Sequence, residues 1–188
     1  DLKFRGLAKA PKLAICDGAL GFQNAVDEIW GQMRIQRCWF HKTANILDKM
    51  PKCVQKKATQ MIRDMHMADT RENALKAYDK FIQTFAVKYE KAVENLKKDK
   101  DDLFRFYDYP AEHWIHIRTT NPIESTFATI RLRHKSTKGN GTAKATEAMA
   151  FKLCRQAEKS WRRLKGFEKL DLVAKDMKFE NGVLKEVA

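Results

Sequence analysis

Two acidic residues, Asp17 and Glu124, stand at positions where a carboxylate could carry chemistry. Asp17 directly follows the apolar run 13–16 (LAIC) and precedes Gly18, so it would lie at the exit of a buried strand. A carboxylate at the exit of a strand is a common place for a metal ligand or a catalytic acid. Glu124 opens a segment with helix-start signals. Each acid also has an ordinary interpretation, because Asp-Gly is a common turn and Glu124 could complete a capping box.

A Cys-x-x-His pair, Cys38 and His41, offers a second kind of chemistry. It closes the run 35–40 (IQRCWF), which we predict to be a second strand. Cys38 should then be a buried strand residue, and His41 should lie at the mouth of that strand. Cys53 and His66 could in principle complete a zinc site, although their spacing fits no common zinc-finger pattern.

Other catalytic motifs have less support in the sequence. A Cys–His nucleophile could combine Cys16 or Cys38 with His41, but no nucleophile-elbow turn accompanies them, and it would leave the basic surface unexplained. Residues 138–141 (KGNG) lack the spacing and the preceding strand of a phosphate-binding loop. The four cysteines have no disulfide-framework spacing, so we predict reduced thiols.

The positive charge of the chain is concentrated in one region. The net charge is +13 at pH 7, and residues 128–165 hold 11 Lys and Arg against 2 Glu. Because charges of both signs are not interspersed there, we predict that this region binds a polyanion rather than forming only a solvated helix face. No apolar run approaches the roughly 20 residues that cross a bilayer, and no signal peptide is recognisable, so we expect no membrane partner.

Apolar periodicity predicts the elements that would position Asp17 and Cys38. A helix over 25–30 should follow the strand and turn around Asp17. After Thr43, the predicted N-cap, the chain should be helical to about residue 102, and the charge run 97–102 should be a solvated helix end. The individual helices are predicted at 44–50, 54–67 and 71–98.

Helix-capping signals place Glu124. Asn121 should be the N-cap and Pro122 the first residue of a helix that continues to about residue 135. Before this helix, residues 114–117 are expected to be extended. Further along we predict a glycine-containing loop, a long basic helix and a turn, at 136–142, 143–164 and Asn181-Gly182.

Taken in order, these motifs resemble a known family. The segments Asp17-x-x-x-Gly21-Phe22, Gln36-x-Cys38-x-x-His41 and Thr120-Asn121-Pro122-Ile123-Glu124-Ser125 are similar to the bacterial insertion-sequence transposases related to plant Mutator elements, over nearly the whole chain. The resemblance implies an α+β, predominantly helical fold, in which a partial ribonuclease-H-like core with its first strands missing carries an all-helical insertion. The implied segments are the core strand-helix-strand (1–41), the helical insertion (42–110), the returning core helix with the basic helix (111–165) and a C-terminal segment (166–188).

The resemblance also implies the chemistry of a DDE transposase, which cleaves and transfers DNA strands with divalent metal ions. Asp17 would be the second acid and Glu124 the third, 107 positions later, and both would bind Mg²⁺ or Mn²⁺ in a two-metal site. His41 would assist catalysis by contacting phosphate or substrate. The first Asp has no counterpart here, so we expect a C-terminal part of a transposase that is catalytically incomplete. The family signature would be Gly21, Cys38, His41 and Asn121.

DNA is the implied partner, both the transposon ends and the target, bound by a homo-oligomer of a cytoplasmic, nucleoid-associated bacterial protein. The residues expected to contact phosphates lie on or after the Glu124 helix: Arg131, Arg133, Lys135, Lys138, Arg155, Arg162 and Arg163. Two other functions stay open on the residues alone. One is a non-enzymatic DNA-binding or decayed remnant, and the other is a helical module whose basic face binds an acidic protein.

Overall fold

The structure, a computed structural model, describes residues 2–31, 33–139 and 141–185. Asn140 of the predicted loop, and the outer ends of the first and last predicted segments (Asp1 and 186–188), lie outside the described residues, as does Gln32. Within the described ranges the chain is predominantly helical and has two small β-sheets, which confirms the predicted α+β class. The described part of the chain contains no helix that is both long and apolar enough to cross a membrane.

The regular elements alternate strand and helix only at the start of the chain. Short 3₁₀ helices also occur at Arg105–Asp108, Ala111–His113 and Phe167–Lys169. In chain order the elements are β1 (Ala14–Cys16), α1 (Leu20–Trp30), β2 (Ile35–Arg37), α2 (Trp39–Leu47), α3 (Lys52–His66), α4 (Arg71–Phe85), α5 (Glu90–Lys98), α6 (Lys100–Leu103), α7 (Trp114–Ile117), α8 (Asn121–Ser136), α9 (Ala143–Glu158), α10 (Leu170–Ala174), β3 (Phe179–Glu180) and β4 (Val183–Leu184).

The first sheet pairs β1 with β2 in parallel, with Ala14 opposite Ile35 and Cys16 opposite Arg37. The predicted strand over 35–40 is therefore too long. Cys38 is the N-cap of α2 rather than a strand residue. Residues 35–37 form the strand and residues 39–40 already belong to α2, because the Trp39 side chain is buried in the helical core. A short apolar run does not by itself distinguish a strand from a helix.

This early start of α2 corrects two further predictions. His41 lies in the first turn of a helix and not at the mouth of a strand. Thr43 is not an N-cap, because it lies inside α2, where its hydroxyl donates to the carbonyl oxygen of Trp39 at 2.7 Å. A hydroxyl bonded to the preceding turn is the usual way for threonine to be accommodated inside a helix.

The main hydrophobic core lies among helices α2 to α6 and the aromatic residues Phe104, Phe106 and Tyr107 that follow α6. The helical periodicity predicted that the apolar faces of this region form a core. The predicted single helix over 71–98 is two helices, α4 and α5, separated by residues 86–89. A straight helix of that length would extend about 42 Å, beyond the reach of one core. The break allows apolar residues of both halves to be buried together, including Phe81, Phe85, Val93 and Leu96.

Three predictions near α8 also change. Residues 114–117 are helical (α7) and not extended, and Trp114 donates its indole N–H to the carbonyl of Tyr109 at 2.9 Å. Thr120, not Asn121, is the N-cap of α8, and α9 ends at Glu158. The predicted turn is confirmed: Asn181 and Gly182 have φ of 49° and 82° and join β3 to β4.

The charge run 97–102 is more than a solvated helix end, because Asp99 binds two buried cations. Its Oδ2 accepts from Arg37 Nε at 3.0 Å and from Lys42 Nζ at 2.8 Å. The Arg37 and Lys42 side chains are only 7% and 1% exposed. Burial raises the pKa of Asp99, but the hydrogen bonds and charges of Lys42 and Arg37 outweigh it and hold that pKa below its ordinary value. Burial lowers the pKa of Lys42, and Asp99 offsets part of that effect.

Gln36 connects the outer edge of β2 to α6 and to the 3₁₀ helix that follows it. Its fully buried side chain donates to the carbonyl oxygens of Leu103 at 3.1 Å and Arg37 at 2.8 Å, and accepts from the Phe106 N–H at 2.8 Å. Arg105 donates to the carbonyl of Ile35 at 2.9 Å. Side chains thus satisfy backbone groups that a neighbouring strand would otherwise pair.

We expect Asp99→Asn to lower the free energy of unfolding by about 2–4 kcal/mol, because it leaves two buried cations without a carboxylate. Urea denaturation followed by tryptophan fluorescence measures the change. The lowered pKa means that the Asp99 contribution is complete above the ordinary value of 3.8 and is lost as the pH falls through the folded-state pKa. The difference between parent and variant should therefore shrink on acidification. Asp101→Asn, at an exposed neighbour, should change stability by less than about 0.5 kcal/mol; equal losses would contradict the ion-pair role.

Candidate functional site

A cleft of about 550 Å³ lies between the carboxyl end of β1, the first turns of α1 and α2, and α8 as far as Arg131. It brings together Asp17, His41, Glu124 and Arg131, four residues that the sequence singled out. The wall is otherwise largely apolar. The full lining is Ile15, Cys16, Asp17, Phe22, His41, Thr120, Ile123, Glu124, Phe127 and Arg131.

Asp17 is positioned by the turn that leaves β1. Its Oδ1 accepts from the N–H of Ala19 at 3.0 Å, and Ala19 is the N-cap of α1. The turn requires Gly18, whose φ is +90°, and a Cβ there would lie 2.3 Å from the guanidinium carbon of Arg37. The Asp-Gly turn and the cleft carboxylate are therefore the same feature, because the turn places the exposed Asp17 side chain on the cleft wall.

Glu124 is held by side chains rather than by a capping box. Its Oε1 accepts a short hydrogen bond from the Thr120 hydroxyl, and His41 Nε2 lies 3.5 Å from the same oxygen. A capping box needs the glutamate at the third helical position, but Thr120 is the N-cap of α8, so Glu124 is the fourth helical residue. The Thr120 N–H donates to Cys38 Sγ at 3.3 Å instead. The capping-box interpretation is therefore wrong. Among the described residues, no hydrogen bond is made to Glu124 Oε2.

Cys38, His41 and Thr120 form one polar cluster beside Glu124. His41 Nδ1 lies 3.3 Å from Cys38 Sγ, and the Thr120 hydroxyl oxygen lies 3.4 Å from that sulfur. We assign the Nε2–H tautomer to neutral His41, because Nε2 faces a carboxylate that can only accept when ionised. Nδ1 then accepts from the Cys38 thiol, so each donor in the cluster has an acceptor.

The basic residues predicted to bind DNA divide by their position on α8. Arg131 lines the cleft because it lies seven residues after Glu124, about 20° away around the helix. Lys135 follows one turn later on the same stripe. Arg133 lies about 200° around the helix from Arg131, and Lys138 lies beyond the end of α8 with φ of 51°.

The remaining predicted DNA contacts lie outside the cleft lining. Arg155, on α9, pairs with Glu158. Arg162 and Arg163 follow the end of α9, and the Arg163 guanidinium lies 4.9 Å from the centre of the Phe167 ring. All three are exposed, which is compatible with contacts to a nucleic-acid backbone.

The family-signature residues have different structural settings. Cys38 is fully buried and His41 is one-third exposed. Asn121 is the exposed first residue of α8, and Gly21 lies at the start of α1 with open space around it. Sequence reasoning did not assign Thr120 a site role. Its position four residues before Glu124 was the available signal, since side chains at i and i+4 meet on a helix.

The acidic donors of the cleft fit a divalent cation of the magnesium type. Asp17 Oδ2 and Glu124 Oε2 make no hydrogen bond within the described residues, and carboxylate oxygens are hard ligands. No group of three His, Cys, Asp or Glu residues that could hold a metal occurs in the part of the chain that the structure describes. Mg²⁺ commonly takes one or two carboxylates and retains several waters, so two acids are an adequate donor set.

The four residues considered for zinc are not assembled into one cluster. His66 packs against Trp39 with ring centres 5.4 Å apart, and Cys53 is exposed. Burial, with the nearby charge of Arg118, lowers the pKa of His66 to about 4, so His66 is neutral at pH 7. His66 is a partly buried residue at the end of α3 that packs against the core residue Trp39.

A parallel-strand carboxylate, a helix carboxylate and a basic helix around one cleft are typical of proteins that act on nucleic-acid phosphates. The family model described as "Transposase, Mutator family" matches residues 1–163, so the chain belongs to the Mutator family of transposases. This confirms the resemblance recognised in the sequence.

Two curated relatives are each 48% identical to this chain. The transposase for insertion sequence element IST2 of Acidithiobacillus ferrooxidans aligns over 97% of this chain and 62% of its own length. The transposase for insertion sequence element IS6120 of Mycolicibacterium smegmatis aligns over 99% of this chain and 57% of its own length. A transposase for element IS905 of Lactococcus lactis is 28% identical over 65% of this chain. The chain therefore spans about 60% of the length of the first two relatives.

We expect Gly18→Ala to lower the free energy of unfolding by about 1–2 kcal/mol, because alanine is strained at φ +90° and its Cβ would displace the buried guanidinium of Arg37. Thermal and urea denaturation measure the loss. Gly21→Ala is the matched control with the opposite sign. It lies in α1 with no atom near the added Cβ and should raise stability by about 0.5 kcal/mol. The same loss at both glycines would show that the turn imposes no special requirement.

Proposed function

We propose that this chain carries part of the catalytic centre of a DDE transposase, which cleaves DNA phosphodiesters and transfers strands during transposition. The main observation is that Asp17 and Glu124, 107 positions apart, line one cleft together with Arg131. Membership of the Mutator family supports the proposal, as do relatives described as insertion-sequence transposases. The proposed partners are transposon-end and target DNA, bound by a homo-oligomer.

The proposed core is ribonuclease-H-like, and residues 42–110 are proposed to be a helical insertion into it. In support, two parallel strands are joined by α1, and the first strand ends at the candidate acid Asp17. The chain then passes through a helical block with its own aromatic core before α8 returns to the strands. In this proposal the two acids belong to the core, and the insertion lies between them in the chain. Segment 111–165 would complete the core, and 166–188 would follow it.

Asp17 and Glu124 are the residues that would hold Mg²⁺ or Mn²⁺. The ion would supply charge neutralisation at the scissile phosphate and activation of water or a 3′-hydroxyl. A two-metal centre of the DDE type requires a further carboxylate. Because the relatives are longer than this chain, we propose that another part of the full transposase provides it.

The other cleft residues would bind and orient the DNA backbone. Arg131 would neutralise a phosphate oxygen next to the carboxylates, because its guanidinium can donate two parallel hydrogen bonds. His41 would hold the Glu124 side chain in place through its Nε2 contact. Phe22 and Phe127, both nearly half exposed on the cleft wall, would pack against sugar or base and exclude water.

The metal assignment is tested by Mn²⁺ titration of this chain, monitored by calorimetry. Asp17→Asn and Glu124→Gln should each weaken Mn²⁺ binding at least about tenfold, because each removes a charged ligand while keeping the side-chain shape. Glu147→Gln, an exposed carboxylate on α9, is the matched control and should leave affinity unchanged. If the parent chain binds no Mn²⁺, or all three variants bind alike, the result supports the non-enzymatic DNA-binding alternative.

The DNA assignment is tested by fluorescence anisotropy with a labelled duplex at several salt concentrations. The logarithm of the binding constant should fall linearly with the logarithm of salt concentration, because bound phosphates release counterions. Arg131→Gln and Lys135→Gln should each reduce the slope by about 0.9. Lys56→Gln, exposed on α3, should leave the slope unchanged. A slope near zero for the parent would contradict DNA binding.

A further inference from the structure

We infer that Thr120 and Cys38 are positioning residues that fix Glu124 relative to Asp17 and leave Glu124 Oε2 as the oxygen available to a metal ion. The importance of this arrangement for catalysis rests on the proposed function. The contacts that define it, however, belong to the folded chain itself and can be measured without DNA or a metal.

Cys38 contacts the two elements that carry the carboxylates. Its backbone N–H donates to the carbonyl of Cys16, the residue before Asp17, at 2.8 Å. Its sulfur accepts the N–H of Thr120, the N-cap of α8, at 3.3 Å. One fully buried residue therefore connects the end of β1 to the start of the Glu124 helix.

Thr120 orients the Glu124 side chain. As an N-cap residue, Thr120 would normally use its hydroxyl to accept a backbone N–H of the first helical turn, but it makes no such bond. The hydroxyl donates instead to Glu124 Oε1. His41 Nε2 lies 3.5 Å from the same oxygen, so both contacts restrain Oε1 and neither involves Oε2.

The size of sulfur suits this arrangement. Cys38 Sγ lies 3.3–3.4 Å from the amide of Thr120, the hydroxyl of Thr120 and Nδ1 of His41. A serine hydroxyl makes hydrogen bonds of about 2.5–3.0 Å to oxygen and could not reach all three groups from the same backbone position. Cys38→Ser should therefore disturb the cluster although it preserves polarity.

The first test compares Thr120→Val with Thr120→Ser, since only serine retains the hydroxyl. Three-bond NMR couplings in metal-free protein should show one Glu124 rotamer in the parent and in Thr120→Ser, and rotamer averaging in Thr120→Val. Mn²⁺ affinity measured by calorimetry should fall about 10–100-fold in Thr120→Val and stay within about twofold in Thr120→Ser, as for residues that orient metal ligands. Thr129→Val, exposed on α8, is the control for loss of a threonine hydroxyl and should match the parent.

The second test uses Cys38→Ser, with exposed Cys53→Ser as its control. Amide hydrogen exchange at Thr120 should be at least about tenfold faster in Cys38→Ser and unchanged in Cys53→Ser, because the sulfur acceptor protects that N–H. This measurement decides the inference if Thr120→Val does not fold.

Failure of the inference and failure of the proposed function are separable. A parent chain that binds no Mn²⁺ but keeps a single Glu124 rotamer, lost in Thr120→Val, would overturn the metal assignment and support the positioning role. Rotamer averaging of Glu124 in the parent would overturn the positioning role. So would a parent that binds Mn²⁺ with the same affinity as Thr120→Val.

Discussion

The buried charges at the junction of β2 and α2 constrain the rest of the structure. Arg37 and Lys42 lose most of their hydration on folding, and Asp99 is the carboxylate that compensates for both. Such a group is stable only when the partner geometry is maintained, because an unpaired buried charge costs several kcal/mol. The segment between α5 and α6, which carries Asp99, is thereby fixed to β2. The guanidinium of Arg37 in turn lies against Gly18, next to Asp17.

The cleft combines a backbone held by strand pairing with carboxylates that are accessible to solvent. Its lining includes the end of β1, which is paired with β2, and buried Cys38 contacts two of the lining residues, His41 and Thr120. Its acids are accessible, and each uses one oxygen for a bond that sets its direction while the other oxygen makes no hydrogen bond within the described ranges. This division is suited to ligand binding, because a preorganised carboxylate loses little side-chain entropy when a cation binds.

The basic helices and the cleft are parts of one surface. Arg131 and Lys135 extend the stripe of α8 that begins at Glu124, so positive charge continues along the helix away from the acids. A polyanion bound along this stripe would be guided with one phosphate toward the carboxylates. Neither α8 nor α9 contains a fully buried residue, so both helices present most of their surface for such contacts.

Local patterns in the sequence determined much of this protein, and long-range packing decided the rest. Asp17 at a strand exit, the start of α8 within one residue, the helical periodicity and the Asn181-Gly182 turn follow from capping, turn and amphipathic rules that act over a few residues. The ordered motifs also identified the Mutator family. Only the tertiary structure showed that Asp99 pairs with two buried cations, that Cys38 is the N-cap of a helix, and that Thr120 donates to Glu124. These features depend on which distant groups are desolvated together, and local sequence does not encode desolvation.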